Sequence, residues 1–564
     1  MNNLNFLVDV LKESPVFKTL EKNVKPGRTV CASGLSTINK SNIIYALCRL
    51  KGVTAFCLAS DEKEAQTLCN DLSCMGLRAY VYPVRDFNFL DFQSRSHEYE
   101  HARLKVLLKL LNHECDVAIA CVDAAAQLTV PKNVLEQSVI EFEEGRELSL
   151  EKATKALTLL GYERFDAVEG SGQFSLRGGI LDFFMPDSDY PVRCEFWGDE
   201  ITDLSYFDIE TQRRFKKADK ITLSPSTEIV IEDRAALADK IEHKAKLLRS
   251  KNSAKAKEKL FSEAELIRSG AMIANADKFI NQIYDKPESL FDYLDRNTLV
   301  FASEFTAIQE RGKSMDFISN ETLMQGFEDG TLCRGFDRFA LTFNECTEFL
   351  QSHGTIVLEN FVHGSMPIKL SEIISFSTKQ LSAWGGSYKQ LKEDVDGLFT
   401  PESKGVIFAG TERAANNLCD TFNADGINAV YSEGADKISK GELLVMQGAL
   451  SAGFEYPSQK FFAITYSQVS YRPEKSKKKK KKTGQEIYSL SELAPGDYVV
   501  HNVHGIGVFG GIRKIDTHGV IKDYIKIDYA KGDVLYVPVT QLDMVAKYIG
   551  PKEDSRVKLN RLGS

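Results

Sequence analysis

The sequence predicts an α/β multidomain protein. It reads as a parallel-sheet domain with a degenerate P-loop, an inserted antiparallel α+β module, a helical segment, a small α/β domain and a small C-terminal β-barrel. Three observations predict this. Apolar strand-like runs alternate with helical periodicity at the start and again over 341–466. Short strands cut by Gly, Pro and Asp turns fill the region after 125. A lysine run sets off a final stretch with two-residue periodicity alone. At 564 residues the chain exceeds a single core and calls for about three to five domains.

Residues 1–124 supply the first part of the parallel-sheet domain: strands TVCAS (29–33), VTAFCLAS (53–60), AYVYP (79–83) and DVAIACVDA (116–124), with helical segments between them. Residues 125–215 form the antiparallel module, with FSLRGGILDFFMP and PVRCEFWGDEITDLSYFD as strands and LEKATKALTLLGY as a helix. Residues 216–340 return to the first domain through a charged, amphipathic helical segment. Residues 341–466 read as a small α/β domain with GTIVLEN, GVIFAG, NAVYSE and KFFAITYS as strands. The linker 467–490 holds Lys475 and the lysines 477–482, which repel one another and bury nothing; a solvated linker is favoured over a nucleic-acid tether. Residues 491–549 form the barrel, with a hairpin turn at 530–533, and 550–564 begin another linker.

Composition excludes several classes. The net charge of −8 argues against a polyanion-binding molecule, and 491–549, with seven acidic and six basic residues, lacks a nucleic-acid footprint. With no signal-peptide pattern and no apolar run long enough to span a bilayer, the expectation is a soluble, cytoplasmic protein with no membrane contact. The eleven cysteines lack zinc spacing and read as reduced, mostly buried thiols. HExxH, GxSxG and EF-hand patterns are absent, and His501 and His504 read as turn residues rather than metal ligands.

The strongest enzyme-like signal is Gly34-Leu35-Ser36-Thr37-Ile38-Asn39-Lys40-Ser41, between a strand and a helix. Gly34, Lys40 and Ser41 fit the phosphate-loop pattern, but Asn39 replaces its second glycine. Hydrolysis also needs an acidic magnesium ligand on a second strand, and no strand ending in an acidic pair is evident. The loop is read as non-functional, with no catalytic residue and no metal site.

The block 161–213 carries Arg164, the run Arg177-Gly178-Gly179-Ile180-Leu181-Asp182-Phe183, Arg193 with Glu195 and Phe196, Asp199-Glu200-Ile201 and Phe207-Asp208. It resembles a module shared by the excision-repair subunit UvrB and the transcription-repair coupling factor (Mfd) family. The stretch from 492 resembles the polymerase-interacting, CarD-like (Tudor-like) domain of the same family, which UvrB does not have. The resemblance implies a UvrB-like first domain and an adaptor with two partners. The damage-recognition ATPase UvrA would dock through Arg164, Phe174, Arg177, Arg193, Glu195 and Phe196. The RNA polymerase β subunit would add a strand along 511–516, engaging Ile512, Arg513, Lys514 and Ile515. Coupling factors continue into an ATP-driven DNA translocase. ATP, magnesium and DNA contact are therefore expected of that motor and not of this stretch, which is expected to hold no cofactor. The competing expectations are a DNA-dependent ATPase using Lys40 and Ser41, and a CarD-like transcription regulator.

Overall fold

The computed structural model describes residues 4–466 apart from 86–97, 139, 249–252, 271–275, 362–365 and 382–387; beyond them it describes 484–486, 496–501, 505–517, 520–530, 534–538 and 545–548. The lysine run, the 531–533 turn, His504 and the 550–564 tail lie outside the described residues. The chain divides into two units, Met1–Val469 and Ser470–Ser564.

The first unit is organised by a seven-stranded, all-parallel sheet. Its spatial order is Glu372–Ser375, Val30–Ser33, Thr355–Leu358, Leu299–Ser303, Ala55–Ala59, Val117–Cys121 and Ala79–Tyr82. Five of the seven strands are buried over all or nearly all their length, so their sequences are continuous apolar runs rather than alternating ones. The four strands expected within 1–124 form. Leu299–Ser303 lies in the stretch expected to be helical. Thr355–Leu358, expected in the small α/β domain, pairs with Val30–Ser33 and Leu299–Ser303. A fully buried apolar run fits any parallel sheet, and only the pairing decides which one takes it.

The small α/β domain therefore begins near 379 rather than 341. Its six-stranded sheet runs Lys379–Leu381, Gly453–Tyr456, Phe461–Thr465, Lys404–Phe408, Glu442–Met446 and Ala429–Ser432. Phe454, Tyr456 and Phe461 from this sheet share one core with Phe6, Leu7, Ile38 and Ile44 of the first domain.

The antiparallel module carries a six-stranded sheet ordered Arg214–Lys217, Glu200–Phe207, Val192–Trp197, Ile180–Phe183, Gln173–Arg177 and Glu163–Arg164. A ribbon of Ile140–Glu143 with Lys220–Leu223 closes it, so the module ends past 215. Residues 125–138 belong instead to the first domain, to which Gln127 and Thr129 bridge at Ala340 and Glu288. A buried charge cluster lies where the module returns to that domain: Arg103 donates to both oxygens of Glu228 (2.6 and 3.2 Å) and to Gln127 (2.8 Å). The helices Arg234–Leu247 and Ser253–Arg268 pack through Leu237, Ile241, Leu260 and Ile267.

In the second unit a six-stranded antiparallel sheet runs Gly484–Glu486, Val545–Tyr548, Tyr498–His501, Gly505–Thr517, Val520–Asp528 and Val534–Pro538. The first of these strands falls inside the stretch expected to be linker. The core is Val499, Phe509, Ile525, Ile527, Tyr529, Val537 and Val545.

Candidate docking surfaces and the degenerate phosphate loop

Strand Val30–Ser33 turns through Gly34 into helix Thr37–Lys51, the backbone course of a phosphate loop. Protein fills the place of the anion. Gly34 has φ 78°, and a Cβ there would lie 2.2 Å from the carbonyl oxygen of Phe376. The Gly34 and Leu35 amides donate to the carbonyls of Asn360 (3.2 Å) and Glu359 (3.1 Å). Asn39, Lys40 and Ser41 are buried. The Lys40 ammonium donates to Glu304 (2.6 Å), Ser303 (2.9 Å) and Glu64 (3.3 Å). The Ser41 hydroxyl donates to Asp71 (3.3 Å), which also accepts the Ser451 N–H and O–H at 2.7 Å each. Asn42 donates to the Tyr456 hydroxyl at 3.1 Å. The helix that would present Ser41 to a metal is thus bonded to the small α/β domain.

Sequence reading missed Glu304. It follows the Leu299–Ser303 strand, two strands from the loop, where an acidic magnesium ligand would stand. The signal sought was an acidic pair, whereas the strand ends Ser303-Glu304. Glu304 sits at φ 55°, bonded to Lys40 and to the Asn360 amide (3.0 Å).

These groups titrate accordingly. Burial would raise Glu64, but the Lys40 ammonium and the Ser303 and Ser60 hydroxyls outweigh it and hold the carboxyl below its usual range. Burial, reinforced by the Glu304 charge, pushes Glu359 up to about 7. Burial pushes Asp71 up to about 6 despite its bonds from Ser451 and Ser41. Cys31, buried beside Glu359 and Glu304, is pushed up to about 12, far from a thiolate nucleophile. The described cysteines are all free, and every one except Cys74 is buried. Among the described residues no group of His, Cys, Asp and Glu is placed to hold a metal, and no helix is long and apolar enough to cross a membrane.

The outer face of the module's sheet is different. Asp182, buried at its centre, accepts two bonds from Arg193 (2.7 and 2.8 Å) and one from Arg177 (2.7 Å). Arg193 is mostly covered, its guanidinium 4.3 Å over the Phe207 ring. The Arg177 side chain is 50% exposed. Glu195 pairs with Arg214, which also reaches Asp203. Arg164, on the edge strand, is exposed and bonds through its side chain to no described residue.

Phe174 and Phe196 do not belong to this face. They are 3% and 8% exposed and lie in the module's core with Phe183 and Leu204. The two-residue period settles it: Phe196 turns inward, so Trp197 turns outward at 81% exposure. Sequence reading passed over Trp197, although its position next to an inward Phe was the signal.

In the second unit's sheet, Gly505–Thr517 pairs with Tyr498–His501 along its first residues and with Val520–Asp528 over most of its length. A bulge between Phe509 and Ile512, with Gly511 at φ 89°, bends it. From Ile512 onward, no strand among the described residues covers its other side. Ile512 is 46% exposed, and Arg513 is exposed. Lys514 and Ile515 continue the pairing, opposite Asp523 and Lys522; their side chains lie outside the described residues. His501 is buried at the end of its strand.

The fold defines a multidomain chain, and comparison with known proteins gives two of its domains a family. Residues 140–229 match the UvrB interaction domain, and 493–549 match the CarD-like/TRCF RID domain. Over nearly its whole length the chain resembles the N-terminal region of transcription-repair coupling factors. It is 29% identical to that of Bacillus subtilis (strain 168) over 569 residues, 98% of this chain and 48% of the relative. It is 28% identical to that of Staphylococcus haemolyticus (86% and 42%) and 24% identical to that of Staphylococcus aureus strain MRSA252 (99% and 48%). The chain spans about half the length of the curated relatives it matches.

Proposed function

We propose that the chain is a non-enzymatic adaptor that joins RNA polymerase to the excision-repair protein UvrA. The module receives UvrA through the exposed side of Arg177 and Glu195 on its outer face and through Arg164 on its edge strand, with Trp197 as the aromatic anchor in place of Phe174 and Phe196. Arginine suits such a surface because its planar fork pairs directionally with carboxylates and is weakly hydrated. The polymerase β subunit adds a strand along the side left uncovered from Ile512 onward, with Ile512 and Arg513 at its entrance. ATP-driven translocation on DNA belongs to the further domains of the longer relatives.

One observation carries the non-enzymatic part. The Lys40 ammonium is spent on Glu304, Ser303 and Glu64, and the Gly34 and Leu35 amides are spent on backbone carbonyls. A triphosphate would have to break all of these bonds. Steady-state ATP hydrolysis with and without DNA tests it: turnover should stay at background, and turnover abolished by Lys40→Ala would establish an ATPase instead. Pull-downs with purified UvrA and polymerase test the adaptor part, which fails if neither is retained.

A further inference from the structure

The amino-terminal end of the parallel strands, opposite the end that carries the Lys40 loop, holds a cleft of about 240 Å³ where the lead-in segments to four strands converge. Its floor is apolar, with Val24, Leu299 and Ile356, and its rim carries Lys25, Arg28, Lys51 and Arg296. No acidic side chain lines it among the described residues, in a chain of net charge −8. Two of the four cations have distant carboxylates, Arg28 with Glu372 (3.4 Å) and Lys51 with Glu21 (3.8 Å). Lys25 and Arg296 have no ion-pair partner among the described residues.

Cations also gather at helix C-termini, and the helices Thr37–Lys51 and Phe343–His353 both end here. Each end carries about half a negative charge. Together with the two glutamates this offsets roughly three of the four cations, so about one positive charge stays unmatched.

We infer that this cleft binds a mononucleotide-type phosphate ester, its phosphate on Arg28 and Arg296 and its flat body over the Val24–Leu299–Ile356 floor. A planar guanidinium suits a phosphate oxygen, and the floor favours a ligand with an apolar face over a bare anion. Nucleotide binding by this chain would then lie across the sheet from the Lys40 loop and need no hydrolysis.

Calorimetric titration of the whole chain with AMP, inorganic phosphate and a single-stranded oligothymidylate tests the assignment. AMP should bind more tightly than phosphate, and Arg28→Gln/Arg296→Gln should weaken AMP by roughly tenfold or more. The charge-matched surface variant Arg334→Gln/Arg413→Gln should leave AMP affinity unchanged. AMP affinity that survives the first double variant, or falls equally in both, overturns the site. Binding of the oligonucleotide without AMP overturns the mononucleotide in favour of a nucleic-acid backbone. No AMP heat at millimolar concentration overturns the inference while leaving the adaptor reading untouched.

Discussion

The Lys40 loop and the outer face of the interaction module both hold cations against carboxylates, yet they differ in who can reach them. Lys40 is 1% exposed and its partners are buried or half-buried around it, whereas the module leaves Arg164 exposed and half of the Arg177 side chain in water. A charge whose bonds are all internal holds the fold together; a charge left partly in solvent can still exchange water for a partner. Burial, rather than the residue types, separates the scaffold charges from the candidate docking surface here.

Substitutions can break this contrast, and the largest effects belong to the buried side. Lys40→Ala strands Glu64 and Glu304 without their cation and should cost about 3–5 kcal/mol by urea denaturation. Phe174→Ala, in the module's core, should cost about 3–5 kcal/mol and impair partner binding only through unfolding. Thermal melts run beside binding assays would expose that dependence.

Next comes a pH effect. Asp71 has its ordinary value of 3.8 raised to about 6, so between these values the native state binds more protons than the unfolded chain. Its contribution to stability is therefore full at low pH and falls as pH rises through this window, by about 3 kcal/mol. Asp71→Asn should flatten that part of the profile. An unchanged slope would mean that the carboxyl is not held between Ser41 and Ser451.

Smaller effects belong to the surface. Arg193→Ala leaves buried Asp182 with Arg177 alone and should cost about 1–3 kcal/mol. Arg164→Ala, with no internal bond to lose, should change stability by less than about 0.5 kcal/mol. A large loss on Arg164→Ala would move that residue to the scaffold side of the contrast.

Much of this was legible in the sequence, for physical reasons that also mark its limits. The strands of the module and of the second unit announce themselves through two-residue alternation between turns, and the phosphate-loop course through the Gly34 turn. The Thr355–Leu358 and Leu299–Ser303 strands could not be placed, because a strand buried on both faces has no alternation to show which neighbour it takes. Glu304 was missed because reach across a sheet, not spacing along the chain, brings it to Lys40. Phe174 and Phe196 are expected among the docking residues from their place beside the arginines, but alternation turns them inward, and the same rule turns Trp197 out.

The contrast between buried and exposed charge meets its most direct test in titrating UvrA into the chain and into Arg164→Ala/Arg177→Ala, with melting curves of both. The account predicts melting curves that differ by no more than the one Arg177–Asp182 bond, and affinity weakened by at least about tenfold, or about 1.4 kcal/mol. Equal affinity with equal stability would contradict it, because the solvent-facing arginines would then do nothing that the buried ones do not.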